Sequence, residues 1–343
     1  MSEKKIIIRT VLITGAAGFI GAALAKRLLQ EKIQVIGIDN MDSYYDVRLK
    51  EQRLGQLQQY PGFVFIKGDL ADKEFVRTVF AQYTPQAAVN LAAQAGVRYS
   101  ITHPDAYIRS NLLGFYSVVE ACRAYPPEHL VYASSSSVYG MNQEIPYRTE
   151  DKTDSPVSLY AATKKSNELI AHAYSKLYGI PMTGLRFFTV YGPAGRPDMA
   201  YFSFTEKMRT GETIRIFNYG NCNRDFTYID DIIEGIMRVL YLPPAPGKDG
   251  VRPPHEVYNL GNQHPENLMD FVEVLRQELV RAGVIPETYD LNRHRELLPM
   301  QPGDVEATCA DMKPFLHRFG YAPQTSLREG LRKFAQWYRE FYM

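Results

Sequence analysis

Short apolar runs alternate with longer stretches of helical periodicity through the first half of the chain. Val11–Thr14, Val35–Asp39, Phe63–Lys67, Ala88–Leu91 and Leu130–Ala133 read as strands, and Ile20–Gln30 and Lys73–Gln82 between them carry a helix period. That alternation is the pattern of βαβ units, in which a parallel sheet is covered on both faces. Right-handed crossovers and a doubly wound strand order follow. From Ser158 to Tyr178 one helix is marked by the apolar stripe Leu169, Ile170, Ala173, Tyr174 and Leu177, with Gly179 and Pro181 as its stop. A strand at Met182–Phe188 comes next, and beyond it the pattern loosens into loops, short strands and helices such as Ile232–Leu242. The proline-rich stretch Pro243–Pro254 reads as a surface loop. The last helix, Ser326–Tyr342, sets Leu327, Leu331, Phe334, Tyr338 and Phe341 on one face for core packing.

Composition narrows the class. With 343 residues, 45% hydrophobic and 22% charged, the chain can bury a large core, and its length suggests two packed units. A net charge of +1 gives no field that would draw the whole molecule to nucleic acid or an anionic membrane. Cys122, Cys222 and Cys309 are odd in number and far apart, which excludes a disulfide framework and matches no zinc spacing. No metal is expected, and a reducing cytoplasm is the expected location. The apolar start leads directly into a glycine turn and reads as a first strand, not a signal peptide. Nowhere is there an apolar run long enough for a membrane-spanning helix.

Directly after the first strand comes Thr14-Gly15-Ala16-Ala17-Gly18-Phe19-Ile20-Gly21, opening a helix. The first glycine permits a tight turn, the second lets backbone amides approach a pyrophosphate, and the third lets the helix pack on its strand. The phosphates would sit at the positive helix N-terminus. Asp39 ends the second strand, where its carboxylate can accept from both ribose hydroxyls and would repel a 2′-phosphate. This Rossmann-type arrangement predicts NAD as cofactor in preference to NADP, held by Gly15, Gly18, Phe19, Ile20, Gly21, Asp39 and Asn40.

Tyr160 and Lys164 stand four apart on the marked helix, so they share one face. A free tyrosine titrates near pH ~10 and is a poor base at neutrality. A nearby ammonium and the positive nicotinamide would both favour phenolate. A further strand ends in Ala133-Ser134-Ser135-Ser136-Ser137, which places hydroxyls at the ligand crevice of an open α/β sheet.

The glycine spacing, followed by Tyr160 and Lys164, resembles the extended short-chain dehydrogenase/reductase family, in its sugar-nucleotide epimerase and dehydratase branch, across nearly the whole chain. The resemblance implies an adenine contact at Asp69 and Leu70. It implies a loop passing the cofactor at Leu91, Ala92, Ala93 and Gln94, and a supporting Asn111. It selects Ser135 as the catalytic hydroxyl beside Tyr160 and Lys164, with Ser136 and Ser137 toward substrate. Dehydratases and decarboxylases of the branch commonly carry a carboxylate where this chain has Ser136 or Ser137, so elimination lacks its usual base. The implied reaction removes hydride and proton at C4, turns the keto sugar over and returns the hydride to its other face.

Two segments resemble UDP-glucuronate 4-epimerases: Asp39–Lys50, and Arg186–Pro193 with Gly195–Ala200. An acidic sugar needs donors for its C6 carboxylate, and Thr189 with Arg196 provides a charge-assisted set; Arg98 is a second cation near the mouth. The 4-keto intermediate would be a β-keto acid, so the carboxylate must be held where its C–C bond cannot align with the carbonyl π system. The resemblance further assigns Asn218, Arg224 and Asp304 to the uridine diphosphate. Gln301 departs from the arginine of galactose epimerases, which leaves Arg215 as a substitute. The expected organisation is an NAD-binding unit over 1–188, with segments around 225–262 packing back on it, and a smaller α/β unit over 189–343, mainly for the nucleotide sugar. The expected activity is UDP-glucuronate 4-epimerase, working as a homodimer on a UDP-sugar. Alternatives are a neutral UDP-hexose or UDP-N-acetylhexosamine 4-epimerase, a decarboxylase or dehydratase, and a non-catalytic NAD-binding scaffold.

Overall fold

A computed structural model of the chain describes residues 5–247, 250–301 and 305–343. Its strands are β1 Thr10–Thr14, β2 Gln34–Asp39, β3 Phe63–Lys67, β4 Ala87–Asn90, β5 His129–Ser135, β6 Met182–Phe187, β7 Thr189–Tyr191, β8 Ile214–Ile216, β9 Asn223–Tyr228, β10 His255–Leu260, β11 Pro265–Asn267 and β12 Arg295–Leu297. Seven of them form one sheet in the order β10-β6-β5-β4-β1-β2-β3. Every pairing in it is parallel. The order reverses direction between β1 and β4, the switch point at which doubly wound sheets open a crevice. Smaller sheets, β11-β9-β7 and β12-β8, lie toward the C-terminal part of the chain.

Period-two alternation decides which face each strand residue serves. On β1, Val11 and Ile13 enter one apolar cluster, while Leu12 enters the other with Ile36 and Ile38. The first cluster continues without a break into Phe226, Phe271, Phe334 and Tyr338, so the late helices share the core of the sheet. In the closing helix, Leu327–Tyr342, the predicted stripe is buried at Leu327, Leu331, Phe334 and Tyr338, with Phe341 partly covered.

The helix Leu159–Tyr178 begins at Ser158, whose Oγ accepts from the Ala161 amide at 3.1 Å, and ends at Gly179 with φ +68°. Its apolar stripe splits, with Ile170 and Tyr174 packed partly buried against the second cluster and the rest turned outward. Leu169 is 60% and Leu177 70% exposed, while the buried face carries Thr163, Lys164, Asn167 and Glu168. The reason is that this helix lays a polar, chemically used face against β5 and β6.

Candidate active site

Because the strands run parallel, the segments that follow β1 through β6 emerge at one edge of the sheet. The first is the glycine turn. Gly15 adopts φ +72°, and a Cβ there would lie 2.8 Å from the amide nitrogen of Ala92. A Cβ on Gly21 would lie 2.1 Å from the Gly15 carbonyl oxygen, so the helix Phe19–Gln30 packs directly on the turn. Phe19 and Ile20 open that helix, and Gly18 caps it without a side-chain hydrogen bond. Its first amides are therefore left for an anion. Space kept clear by glycines and uncapped amides fit a dinucleotide's pyrophosphate.

Asp39 is buried at the end of β2. Its Oδ2 accepts from the Ala17 amide at 3.1 Å, its Oδ1 from the Met41 amide at 2.8 Å, and Lys50 Nζ stands 3.7 Å away. Each carboxylate oxygen keeps a second lone pair for a ribose hydroxyl. Asn40 is exposed and accepts from the Asp42 amide at 3.0 Å. Past β3, Asp69 accepts from the Ala71 amide at 2.9 Å and pairs with Arg109 at 2.9 Å, beside buried Leu70. Past β4, Leu91, Ala92 and Ala93 are partly exposed and lead to buried Gln94. Asn111 lies in a wide π-type turn, Ile108–Leu113, a geometry frequent at functional sites. Its Oδ1 accepts from the Gln94 amide at 2.8 Å, and its Nδ2 donates to the Gln94 carbonyl and to Thr163 Oγ1, each at 3.0 Å. One buried amide thus ties the loop after β4 to the helix that carries Tyr160 and Lys164.

Ser135 is the last residue of β5, and its Oγ accepts from the Ser137 amide at 3.2 Å. Ser136 and Ser137 form the following turn and are partly exposed. Tyr160 is buried deeply enough to raise its hydroxyl above the ordinary phenol value, while a hydrogen bond with Ser135 and the charge of Arg196 act the other way. Lys164 Nζ donates to the Ala133 carbonyl at 2.9 Å, and burial pushes its ammonium down to about 8. Arg196 is thus a cation acting on Tyr160 that the sequence did not couple to it. The Tyr107 ring meets Tyr160 edge-on at 6.0 Å and sits 6.3 Å from Tyr99, which lies 4.6 Å from Tyr44.

Arg196 forms a fork with Asp198, Nε to Oδ1 at 3.0 Å and Nη2 to Oδ2 at 2.7 Å. Thr189, the first residue of β7, is partly buried two residues past the end of β6. Arg98 is exposed, with its guanidinium 5.1 Å over the Phe217 ring. Asn218 follows Phe217, holds φ +51° and donates to the Asn221 carbonyl at 2.8 Å. Arg224 donates to the Asn223 and Glu306 carbonyls, each at 3.1 Å. Ser135, Tyr160, Lys164 and Arg196 are thus drawn together, whereas Asn218 lies in the turn Phe217–Gly220 and Arg224 on β9 among the C-terminal elements. Arg215 is exposed and pairs with Glu296 at 3.3 Å. Gln301 is partly buried, and Asp304 lies outside the described residues.

Sequence reasoning passed over three groups. Arg53 is buried on the helix Val47–Leu57 and spans two loops. It donates to the Ala17 carbonyl at 3.0 Å, to Tyr45 Oη at 2.8 Å, to the Ala194 carbonyl at 2.6 Å and to the Gly195 carbonyl at 3.1 Å. It therefore fastens the glycine turn to the loop that leads to Arg196. Nothing in a polar helical stretch signals such burial. Glu168 and Arg186 form a buried fork at 2.8 and 2.9 Å, with Ser134 Oγ donating to Glu168 at 2.7 Å and Arg186 reaching Tyr139 Oη at 3.0 Å. Burial alone would raise the Glu168 carboxyl, but the hydrogen bonds and charge of Arg186 hold it below its ordinary value. Asp198 is the third, signalled only by standing two residues from Arg196.

Among the described residues no group of His, Cys, Asp and Glu side chains could hold a metal ion, and no helix is long and apolar enough to cross a membrane. Known proteins match over most of this length. The chain is 43% identical to a probable UDP-glucuronate 4-epimerase of Rhizobium meliloti, over 96% of this chain and 97% of that protein. It is 46% identical to protein CapI of Staphylococcus aureus, over 97% of this chain and 99% of that protein. A solved structure of UDP-glucuronic acid 4-epimerase from Bacillus cereus, in complex with UDP-glucuronic acid and NAD, superposes with a TM-score of 0.84 at 31% identity. That match covers 97% of this chain and 100% of the other. Residues 11–261 match the NAD dependent epimerase/dehydratase family, and the chain belongs to it.

Proposed function

We propose that this chain interconverts UDP-glucuronate and UDP-galacturonate by epimerisation at C4 on bound NAD. The observation that carries the reading is the placement of Arg196, a carboxylate-binding fork whose charge acts on the Tyr160 hydroxyl. The similarity to UDP-glucuronate 4-epimerases supports it.

Gly15, Gly18, Phe19, Ile20, Gly21, Asp39 and Asn40 would hold the cofactor, with Asp69, Leu70, Leu91, Ala92, Ala93, Gln94 and Asn111 along its length. NAD supplies the hydride acceptor and donor at C4. Tyr160 takes the proton of the C4 hydroxyl and later returns it. Ser135 hydrogen-bonds the same sugar oxygen and fixes its direction relative to Tyr160. Lys164 would hold the nicotinamide ribose. Ser136 and Ser137 offer hydroxyls where elimination would need a carboxylate base, so the keto sugar rotates and is reduced again. Thr189 and Arg196 grip the C6 carboxylate and keep its C–C bond out of line with the C4 carbonyl, which suppresses loss of CO₂. Asn218, Arg224 and Asp304 serve the uridine diphosphate end, and Arg98 is a second cation near the mouth.

Purified protein incubated with UDP-glucuronate, without added NAD, is followed by proton NMR. UDP-galacturonate appearing to equilibrium is the expected result. A UDP-pentose product, or turnover of neutral UDP-hexoses alone, would overturn the assignment.

A second copy of the chain is the partner proposed for the outer face of two packed helices, Gly114–Ala124 and Leu159–Tyr178, joined by Tyr174 Oη donating to Glu120 at 2.9 Å. Tyr116, Leu169 and Leu177 on them are exposed, an apolar face that a homodimer would cover. Light scattering of wild type and of Leu177→Glu distinguishes dimer from monomer. The free cysteines agree with a reducing compartment such as the cytoplasm.

A further inference from the structure

Asp198 already occupies the guanidinium edge that a substrate carboxylate needs. Nε and Nη2 of Arg196 meet its two oxygens at 3.0 and 2.7 Å, the same two-point geometry in which arginine takes any carboxylate. A sugar acid therefore competes with a carboxylate of the protein itself.

The way Asp198 is held separates it from the structural carboxylates of the chain. Asp225 accepts from the amides of Asn262, Gln263 and Ala310 at 2.6, 3.1 and 2.9 Å. Asp39 accepts from two amides as well. Asp198 has no such backbone anchor among the described residues. Among the described residues it accepts, apart from Arg196, only from Tyr44 Oη at 3.4 Å, a long and weak bond. The Asp198 side chain is 26% exposed, so one side of the carboxylate faces solvent into which it can turn.

We propose that Asp198 is a displaceable latch, an internal carboxylate that holds Arg196 until the carboxylate of an acidic sugar takes its place. The inference rests on Arg196 being the carboxylate receptor of the proposed reaction. The exchange is neutral in charge, since one carboxylate leaves the guanidinium as another arrives. Arg196 thus keeps a carboxylate partner beside Tyr160 throughout. A neutral sugar provides nothing to displace Asp198 and leaves the latch shut, which makes Asp198 a specificity-determining residue.

The test compares wild type with Asp198→Asn, full-length and with its cofactor. UDP-glucuronate and UDP-glucose binding are measured by calorimetry, and UDP-glucuronate turnover by NMR. Removing the competitor should tighten UDP-glucuronate binding and lower its KM by about tenfold, the scale of one charge-assisted pair, while UDP-glucose binding stays within about twofold. The acid limb of the pH–rate profile should also move to lower pH, because the Asp198 charge opposes ionisation of Tyr160. Unchanged or weaker UDP-glucuronate binding by the variant, with wild type active, overturns the latch alone. Equal tightening for both sugars also overturns it. Wild type that neither binds nor converts UDP-glucuronate overturns the latch together with the proposed function. If Asp198→Asn does not fold, Asp198→Ser carries the same expectations.

Discussion

Lys164 Nζ donates to the Ala133 carbonyl across 2.9 Å, so the ammonium of the active-site helix is spent on the last turns of β5. Burial pushes it down to about 8, against an ordinary lysine value near 10.4. Between those values the unfolded chain binds more protons than the folded one, so stability rises with pH across that window. Below pH 8 the fold bears the whole cost of the buried charge. Lys164→Met should therefore be the more stable protein at pH 7, by roughly 1–3 kcal/mol. The gap should narrow as pH climbs from about 8 to 10. Urea denaturation of both proteins over that range checks it; a constant gap contradicts it.

Tyr160 and Ser135 serve proton transfer in the proposed reaction. Tyr160→Phe should lower kcat by roughly 10²–10⁴-fold and Ser135→Ala by about 10²-fold. Because the ring and the strand end are kept, melting temperatures should stay within a few degrees. Turnover by NMR and thermal denaturation of each variant give the comparison, and a large drop in melting temperature would argue for a structural role instead.

Arg53 gathers carbonyls from two loops without a carboxylate partner among the described residues. Arg53→Met should cost about 2–4 kcal/mol, because buried carbonyls of Ala17, Ala194 and Gly195 lose their donor. It should also release NAD and raise KM for UDP-glucuronate together, since one side chain fixes both loops. Arg53→Lys should recover only part, lacking the planar fork. NAD content after gel filtration, read beside KM, separates this from general destabilisation.

The Glu168–Arg186 fork is buried on both sides. Arg186→Met should cost about 3–5 kcal/mol by stranding a buried carboxylate, and the double variant Arg186→Met with Glu168→Gln should recover much of it. Glu168 is held low in the fold, so its share of stability is present above the ordinary carboxylate value and is lost as pH falls through the folded value. Denaturation midpoints followed from the ordinary glutamate value of about 4.3 downward should fall more steeply for wild type than for the double variant.

The sheet was legible because its strands are short apolar runs between helix periods. β3 coincides with the predicted Phe63–Lys67, and β1, β2 and β4 lie within one residue of their expected ends. The helix Leu159–Tyr178 was legible as a helix but not in orientation. Periodicity reports where apolar residues lie, and here the inner face is polar because Lys164 and Glu168 work against β5 and β6. Arg53, Glu168 and Arg186 stayed hidden for the same reason, as a charged side chain in a helix or strand ordinarily reads as a solvated surface. Asp198 became meaningful only once its distance to Arg196 was known.

The pairing of β10 with β6 carries a consequence for how the chain matures. The strand that covers the outer edge of β6 is made some seventy residues after it, beyond three further strands and two long helices. During synthesis β6 stands as a bare edge, a template for wrong pairing between nascent chains. A fragment ending at residue 188 should accordingly be recovered as aggregate, while one ending after residue 262 should stay dispersed longer in ultracentrifugation. The late strand is the sheet's own seal, delivered last.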